Sequence, residues 1–166
     1  MTLIVEDGTA RADAQTYASV ADLRAYAALR AIALPEDETA CEVLLVAAMD
    51  RMEAERDSYQ GDRVLPTQAL SLPRYGMCVD GWNIPGNEIP RNAVYAQCAF
   101  ACEAQSLDLL PTTPANASGP ISQETVGPIT TVYANPGSVR RTPAVAKADT
   151  LLRTLLKRSG LVAVRV

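Results

Sequence analysis

PEDETACEVLLVAAMDRMEAERDSY, Pro35 to Tyr59, places Cys41, Leu45, Ala48 and Met52 three or four residues apart, the spacing of one face of an α-helix. Glu36, Asp37 and Glu38 crowd its start, where negative charge complements the positive end of the helix dipole. Glu42, Glu53 and Arg56 are expected on its other side, and Asp50 with Glu53 reads as part of a solvated face. This is the clearest helix of the chain.

Working toward the N-terminus, Ser19 opens a helix over SVADLRAYAALRAI. Asp22 stands three residues on in a variant of the capping box, and Leu23, Tyr26, Ala27 and Arg30 follow at helical spacing. Ahead of it, TLIVEDG reads as a short apolar strand running into an acidic glycine turn. Toward the C-terminus a third helix is expected near IPRNAVYAQCAFACEAQ, with Val94, Cys98, Ala101 and Gln105 in register and alanines that let neighbours approach closely.

LLPTTPANASGP, Leu109 to Pro120, is a linker by composition. ISQETVGPITTVYANPG then suggests two short strands around Gly127-Pro128. Thr142 caps a helix with Pro143 at its first position, and Val145, Ala148, Leu152, Leu155 and Leu156 make its apolar stripe. The closing LVAVRV reads as a terminal strand whose Leu161, Val162 and Val164 invite pairing with the chain's own sheet or a neighbour's edge. The expected fold class is α+β, mainly α: a small helical bundle with a minor β-hairpin and terminal-strand element. Its expected parts are residues 1–110, a linker over 111–120, and 121–166.

At 166 residues and 48% hydrophobic content, the chain has the size of one ordinary domain. Its longest apolar run, Val43 to Met49, is far shorter than the ~20 residues of a bilayer span, and MTLIVEDGTA carries no basic leader. A soluble protein, cytosolic at synthesis, is expected. Cys41, Cys78, Cys98 and Cys102 form no CxxC pair and read as reduced, buried thiols. Cys98 and Cys102 share a helical face, but without further paired ligands no metal is expected.

The chain has no histidine. Ser-His-Asp and Cys-His mechanisms, and most zinc hydrolase sites, need an imidazole to move a proton near neutral pH. Lys147 and Lys157 lie in a late basic helix without a Ser-x-x-Lys pattern, and neither GxxxxGK[ST] nor GxGxxG occurs. No catalytic residue, no cofactor and no enzymatic activity are expected.

Charge is segregated along the chain. Residues 1–136 hold 8 basic and 18 acidic groups, a balance of −10; residues 137–166 hold 7 basic and 1 acidic, a balance of +6. A basic tail on an acidic body points to an anionic partner, nucleic acid or protein. The same cations could instead solvate one side of a helix and fold back on the acidic body.

Between the second and third helices, Gln60 to Ile89 shows no helical period, a length that is uncommon for structureless chain inside a compact domain. Leu65, Leu70, Leu72, Met77, Trp82 and Ile84 would stand exposed unless something covers them. Either this stretch wraps its own core or it packs on another subunit. Within TQALSLPRYG, Thr67 to Gly76, Pro73 is expected to hold Leu72 extended and Arg74 to project toward a carboxylate.

The succession LIVEDGT, Thr16-Tyr17 with Ser19, TQALSLPRYG, IPRNAVYAQC, ETVGPITTVYA and RTPAV with its leucine-rich helix resembles the head-to-tail connector (adaptor, or head-completion) proteins of long-tailed bacteriophages. Some members of that group carry a DnaT-like single-stranded-DNA-binding label. The resemblance runs nearly end to end. It departs at Leu72, where an aromatic would precede Pro-Arg, and at the proline-rich linker after Leu110.

The resemblance implies a homo-oligomeric ring, typically of about twelve copies, that docks under the portal protein and presents a platform to the next neck or tail component. It also implies a place in the virion neck, with the host cytoplasm as the site of assembly. Leu70, Leu72, Pro73, Arg74 and Trp82 would then be subunit contacts. Arg140, Arg141, Lys157 and Arg158 would meet the portal or DNA in the channel, and Leu161, Val162 and Val164 would add a strand. The alternative is a single-stranded-DNA-binding replication accessory. That function needs stacking aromatics beside cations, and in sequence only Tyr133 lies near the basic tail while Trp82 sits in the acidic body.

Overall fold

A computed structural model describes residues 2–111, 123–126, 129–132 and 145–157. The chain divides into two compact units, one of Met1–Leu109 with Ala144–Val166 and one of Leu110–Pro143. The late helix therefore belongs with the N-terminal bundle, where sequence had grouped it with the hairpin. The architecture is α+β and mainly α.

Helix α1, Val20–Ala28, begins as its cap predicts: the Asp22 backbone N–H donates to Ser19 Oγ, and Asp22 Oδ2 accepts from the Ser19 N–H at 2.9 Å. Helix α2, Glu38–Glu53, starts within the acidic run as expected: the Asp37 carboxylate takes the Ala40 N–H at 3.0 Å and is the cap, and Glu38 stands in the first turn. A single 3-10 turn, Arg56–Ser58, follows it. Helix α3 spans Arg91–Glu103 and helix α4 Ala146–Arg153. Thr142 and Pro143, expected to begin α4, lie outside the described residues. Among those described, the Asp149 carboxylate accepts the Val145 N–H at 3.0 Å and secures the first turn.

The core lies between α1, α2, α3 and α4. Cys41, Leu45, Ala48 and Met52 of α2 are fully buried, as their spacing predicts, against Leu23 of α1, Ala96, Phe100 and Ala101 of α3, and Ala148 and Leu155 of the α4 region. Each large apolar side chain so buried contributes about 1.5–3 kcal/mol. Glu42 is a correction: it is buried, and its carboxylate accepts the Leu3 N–H at 3.3 Å. Arg51 is also buried, with Nη2 3.2 Å from Asp149 Oδ1, Nη1 3.2 Å from Glu55 Oε1, and its guanidinium 5.3 Å from the Phe100 ring. This pairing fastens α4 to α2.

TLIVEDG does not form a strand. It makes one parallel bridge, Val5 to Thr16, and the Glu6 carboxylate organises the turn by accepting the N–H groups of Gly8, Ala10 and Arg11 at 2.8–2.9 Å. Gln97, fully buried on α3, joins this segment to the bundle: Oε1 accepts from the Tyr17 and Ala18 N–H groups, and Nε2 donates to Thr16 Oγ1 and to the Leu45 carbonyl.

The connection between α2 and α3 holds two small antiparallel ribbons. β1, Asp62–Arg63, pairs with β2, Arg74–Tyr75; β3, Met77–Val79, pairs with β4, Trp82–Ile84. At the entry to β1, Gly61 has φ +65°, and a Cβ there would lie 1.9 Å from the Tyr75 carbonyl oxygen, so the close approach requires glycine.

In the second unit, β5, Gln123–Val126, pairs antiparallel with β6, Ile129–Val132, around Gly127-Pro128 as expected. The linker expected over 111–120 falls almost wholly outside the described residues, as do Tyr133 and the terminal LVAVRV.

TQALSLPRYG folds inward, against the expectation of a contact across a subunit boundary. Leu70 is 7% exposed, and Leu72, Pro73 and Arg74 are buried within their own chain. The physical reason is a set of polar partners that meets the backbone of this irregular stretch. Ser71 donates its N–H and its hydroxyl to the two Glu53 carboxylate oxygens at 2.8 Å, and the Leu72 N–H donates to the Tyr17 hydroxyl at 2.9 Å. Gln68 Nε2 donates to the carbonyls of Leu70 and Pro73. Arg74 donates to the Gly61 carbonyl at 2.8 and 3.2 Å, not to a carboxylate. With its hydrogen bonds completed, non-helical backbone can be buried at little cost.

Candidate functional site

The most distinctive surface forms where the β3–β4 ribbon meets the C-terminal end of α4. Asp80-Gly81 turns the ribbon in two residues, with φ +53° and +86°. That conformation matches the right-handed twist of the flanking strands and favours Asp-Gly. VDGW was thus a legible hairpin signal that a search for helical period passes over.

Pairing of Val79 with Trp82 and of Met77 with Ile84 puts these four residues on one face of the ribbon. Met77 is buried there, whereas Trp82, at the tip, overhangs the core and is 78% exposed. Cys78 faces the other way.

Gln60 ties this ribbon to α4. Its Nε2 donates to the Thr154 and Leu156 carbonyls at 2.9 and 3.2 Å, while its Oε1 accepts the Cys78 N–H at 3.2 Å. Backbone bonds from Gln60 to Leu155 and from Lys157 to Ser58 extend the seam. A groove of about 320 Å³ follows it, lined by Gln60, Cys78, Asp80, Thr150, Arg153 and Thr154, and continuing to Gly81 and Lys157. Arg153 and Lys157 are exposed, and neither forms an ion pair among the described residues. Lys157 Nζ donates only to the Asp57 carbonyl, at 3.2 Å. Asp80 is the acidic group on the groove wall.

Of the residues predicted as contacts, the structure leaves Trp82 exposed at the ribbon tip, sets Lys157 on the groove wall with Gly81, and withdraws Leu70, Leu72, Pro73 and Arg74 into the core. Arg140, Arg141, Arg158, Leu161, Val162 and Val164 lie outside the described residues. Arg153, Gln60 and Thr154 enter the site only through the fold.

Burial holds the titratable thiols and phenols of the core in their neutral forms. Burial pushes the Cys98 thiol up to about 12, with Asp22 and Cys102 adding to it. Burial likewise raises Cys102, and raises the Tyr17 and Tyr59 phenols, to which nearby Glu53 also contributes. Among the described residues, no cluster of three or more histidine, cysteine or acidic side chains is placed to hold a metal, and no helix is long and apolar enough to cross a membrane.

A family model described as "Putative DnaT-like ssDNA binding protein" matches residues 1–166. The chain belongs to this DnaT-like family. No curated protein and no solved structure matches it. For a DnaT-like chain the separation of aromatics from cations along the sequence is the main physical objection to a nucleic-acid surface, and the fold narrows that separation without closing it: Trp82 follows Gly81, which shares a wall with Lys157, but lies on the ribbon face opposite the groove-lining Cys78.

Proposed function

We propose that this chain is a non-enzymatic single-stranded-DNA-binding protein, and that the groove between the β3–β4 tip and the end of α4 is where the strand lies. The observation that carries the reading is a groove walled by the β3–β4 ribbon and bordered by two exposed cations, Arg153 and Lys157, that have no ion-pair partner among the described residues, with the exposed Trp82 indole at the tip of the same ribbon on its other face. The description of the family supports it. In this reading Arg153 and Lys157 take backbone phosphates and a base that passes over the ribbon tip stacks on Trp82, a contact that tolerates any sequence because every base presents a π face. Asp80 repels the strand from one wall and keeps affinity moderate, in keeping with a pI of 4.8.

The test is a titration of fluorescent oligothymidine across salt concentrations. Two phosphate contacts correspond to a slope of log K against log salt of about −1.4. Trp82→Ala is expected to cost about 1–3 kcal/mol of binding. Absence of strand binding at low salt overturns the reading.

A second reading is the phage head-to-tail connector. Its support is the order of sequence motifs together with apolar side chains left in solvent: Leu29, Val43 and Trp82 are 82%, 62% and 78% exposed. As a connector the chain assembles into a ring in the host cytoplasm, docks on a portal protein, presents a platform to the next neck protein and remains in the virion neck. Trp82 is then a subunit contact, and Lys157 faces the portal or channel DNA. Electron microscopy of the protein mixed with a portal separates the two readings: an added ring at the portal's narrow end supports the connector, and a monomer that binds strands without the portal opposes it.

A further inference from the structure

We infer that Arg30 and Arg91 form a second phosphate-binding point for the same strand, reached from the groove along the first turn of α3; the inference rests on the DNA-binding reading above. The Arg30 guanidinium lies 3.6 Å from the centroid of the Tyr26 ring and 5.9 Å from that of Tyr95. Arg91 lies 4.6 Å from the same Tyr95 centroid and donates to the Tyr95 hydroxyl. The two rings meet edge to face, 5.6 Å apart at 66°. Arg30 also donates to the Tyr26 carbonyl at 3.0 Å.

Two guanidiniums are thus held around one tyrosine, and neither has an ion-pair partner among the described residues. Asp22, which borders the same depression, is occupied with the α1 cap through the Ser19 N–H and hydroxyl. Arg30 caps the end of α1 and Arg91 holds Tyr95 one turn along α3, yet the two like charges beside one ring repel each other. An anion between them removes that repulsion. A stacked guanidinium is weakly hydrated, loses little freedom on binding and offers a fork of donors that matches phosphate.

Continuity with the groove comes through Asn92. Its Nδ2 donates to Thr154 Oγ1 at 2.9 Å, and Thr154 lines the groove. Arg91 precedes Asn92 at the N-terminal end of α3, where the helix dipole also favours an anion. A strand that leaves the groove at Thr154 and Asn92 would meet Arg91, the next residue of the first turn of α3, and then Arg30 across the Tyr95 ring.

The experiment compares the full chain with R30Q/R91Q, with R91Q alone and with R153Q/K157Q, using fluorescent oligothymidine of about 25 nucleotides over a range of salt. The double change R30Q/R91Q is expected to lower affinity about three- to tenfold and to flatten the salt slope by about 1.4, with R91Q alone flattening it by about 0.7. Circular dichroism confirms that each variant is folded, and R91Q, at an exposed position, keeps the test valid if the double variant is not. An unchanged slope in R30Q/R91Q and R91Q, alongside weakened binding in R153Q/K157Q, overturns this inference and leaves the groove standing. A wild-type chain that binds no strand removes both.

Discussion

Residues 68–74 and 80–82 belong to one non-helical connection between α2 and α3, yet the first stretch is largely inside the molecule and the second wholly at its surface. Hydrophobicity does not separate them, since Leu70 and Leu72 on one side are matched by Trp82 on the other. Hydrogen bonding does. In 68–74 the backbone is met by side chains from distant parts of the bundle, Tyr17 and Glu53 above all, so irregular chain can enter the core. At 80–82 the chain reverses in a two-residue ribbon turn, and the indole is carried out beyond the core it would otherwise join.

That contrast can be broken most directly at its buried end. Leu72→Ala is expected to destabilise the fold by about 2–5 kcal/mol in urea or guanidinium unfolding, the range for a large apolar side chain deleted from a close-packed site. A loss under about 1 kcal/mol would mean that the segment is not anchored.

Glu53→Ala removes the acceptor for both Ser71 groups, and a cost of about 1–3 kcal/mol is expected from the donors left unsatisfied. Hydrogen exchange should quicken at Ser71 first. Protection there equal to wild type would show that another group holds the turn.

A third prediction sets buried against exposed thiols. Cys98 is raised from an ordinary 9.0 to about 12, so the folded state holds its proton where the unfolded chain releases it. Stability from this site is complete below about pH 9 and declines as pH rises toward about 12; Cys98→Ala should flatten that decline. In native protein, a thiol reagent should modify exposed Cys78 before buried Cys41, Cys98 and Cys102. Equal labelling of all four under native conditions would mean that the α3 face opens readily.

The smallest effect is expected at the ribbon tip. Trp82→Ala should change unfolding free energy by no more than about 0.5 kcal/mol, because its ring is already in solvent. A thermal melt displaced by many degrees would show that the indole supports the fold and is not held out for a partner.

Much of this was legible beforehand. The Cys41–Leu45–Ala48–Met52 face, the Ser19/Asp22 cap and the hairpin around Gly127-Pro128 are local patterns, each carried by residues a few positions apart. Gln97 was not legible, because a glutamine on an alanine-rich helix gives no sign that Thr16, Tyr17 and Leu45 will surround it. Glu42 read as solvated charge for the same reason, and nothing near Arg51 in the chain announces its burial against Asp149. Asp80-Gly81 did carry its signal, but a reading tuned to helical spacing missed it.

By itself the sequence determined where the helices run and which of their faces are apolar, since periodicity, caps and helix formers act within one or two turns. Only the tertiary structure decided that TQALSLPRYG goes inside, that Trp82 stays outside, and that Arg153 and Lys157 come to stand beside the ribbon tip. Those outcomes depend on polar groups far apart in the chain finding one another. Each such bond is worth making only after the helices have brought its partners within reach.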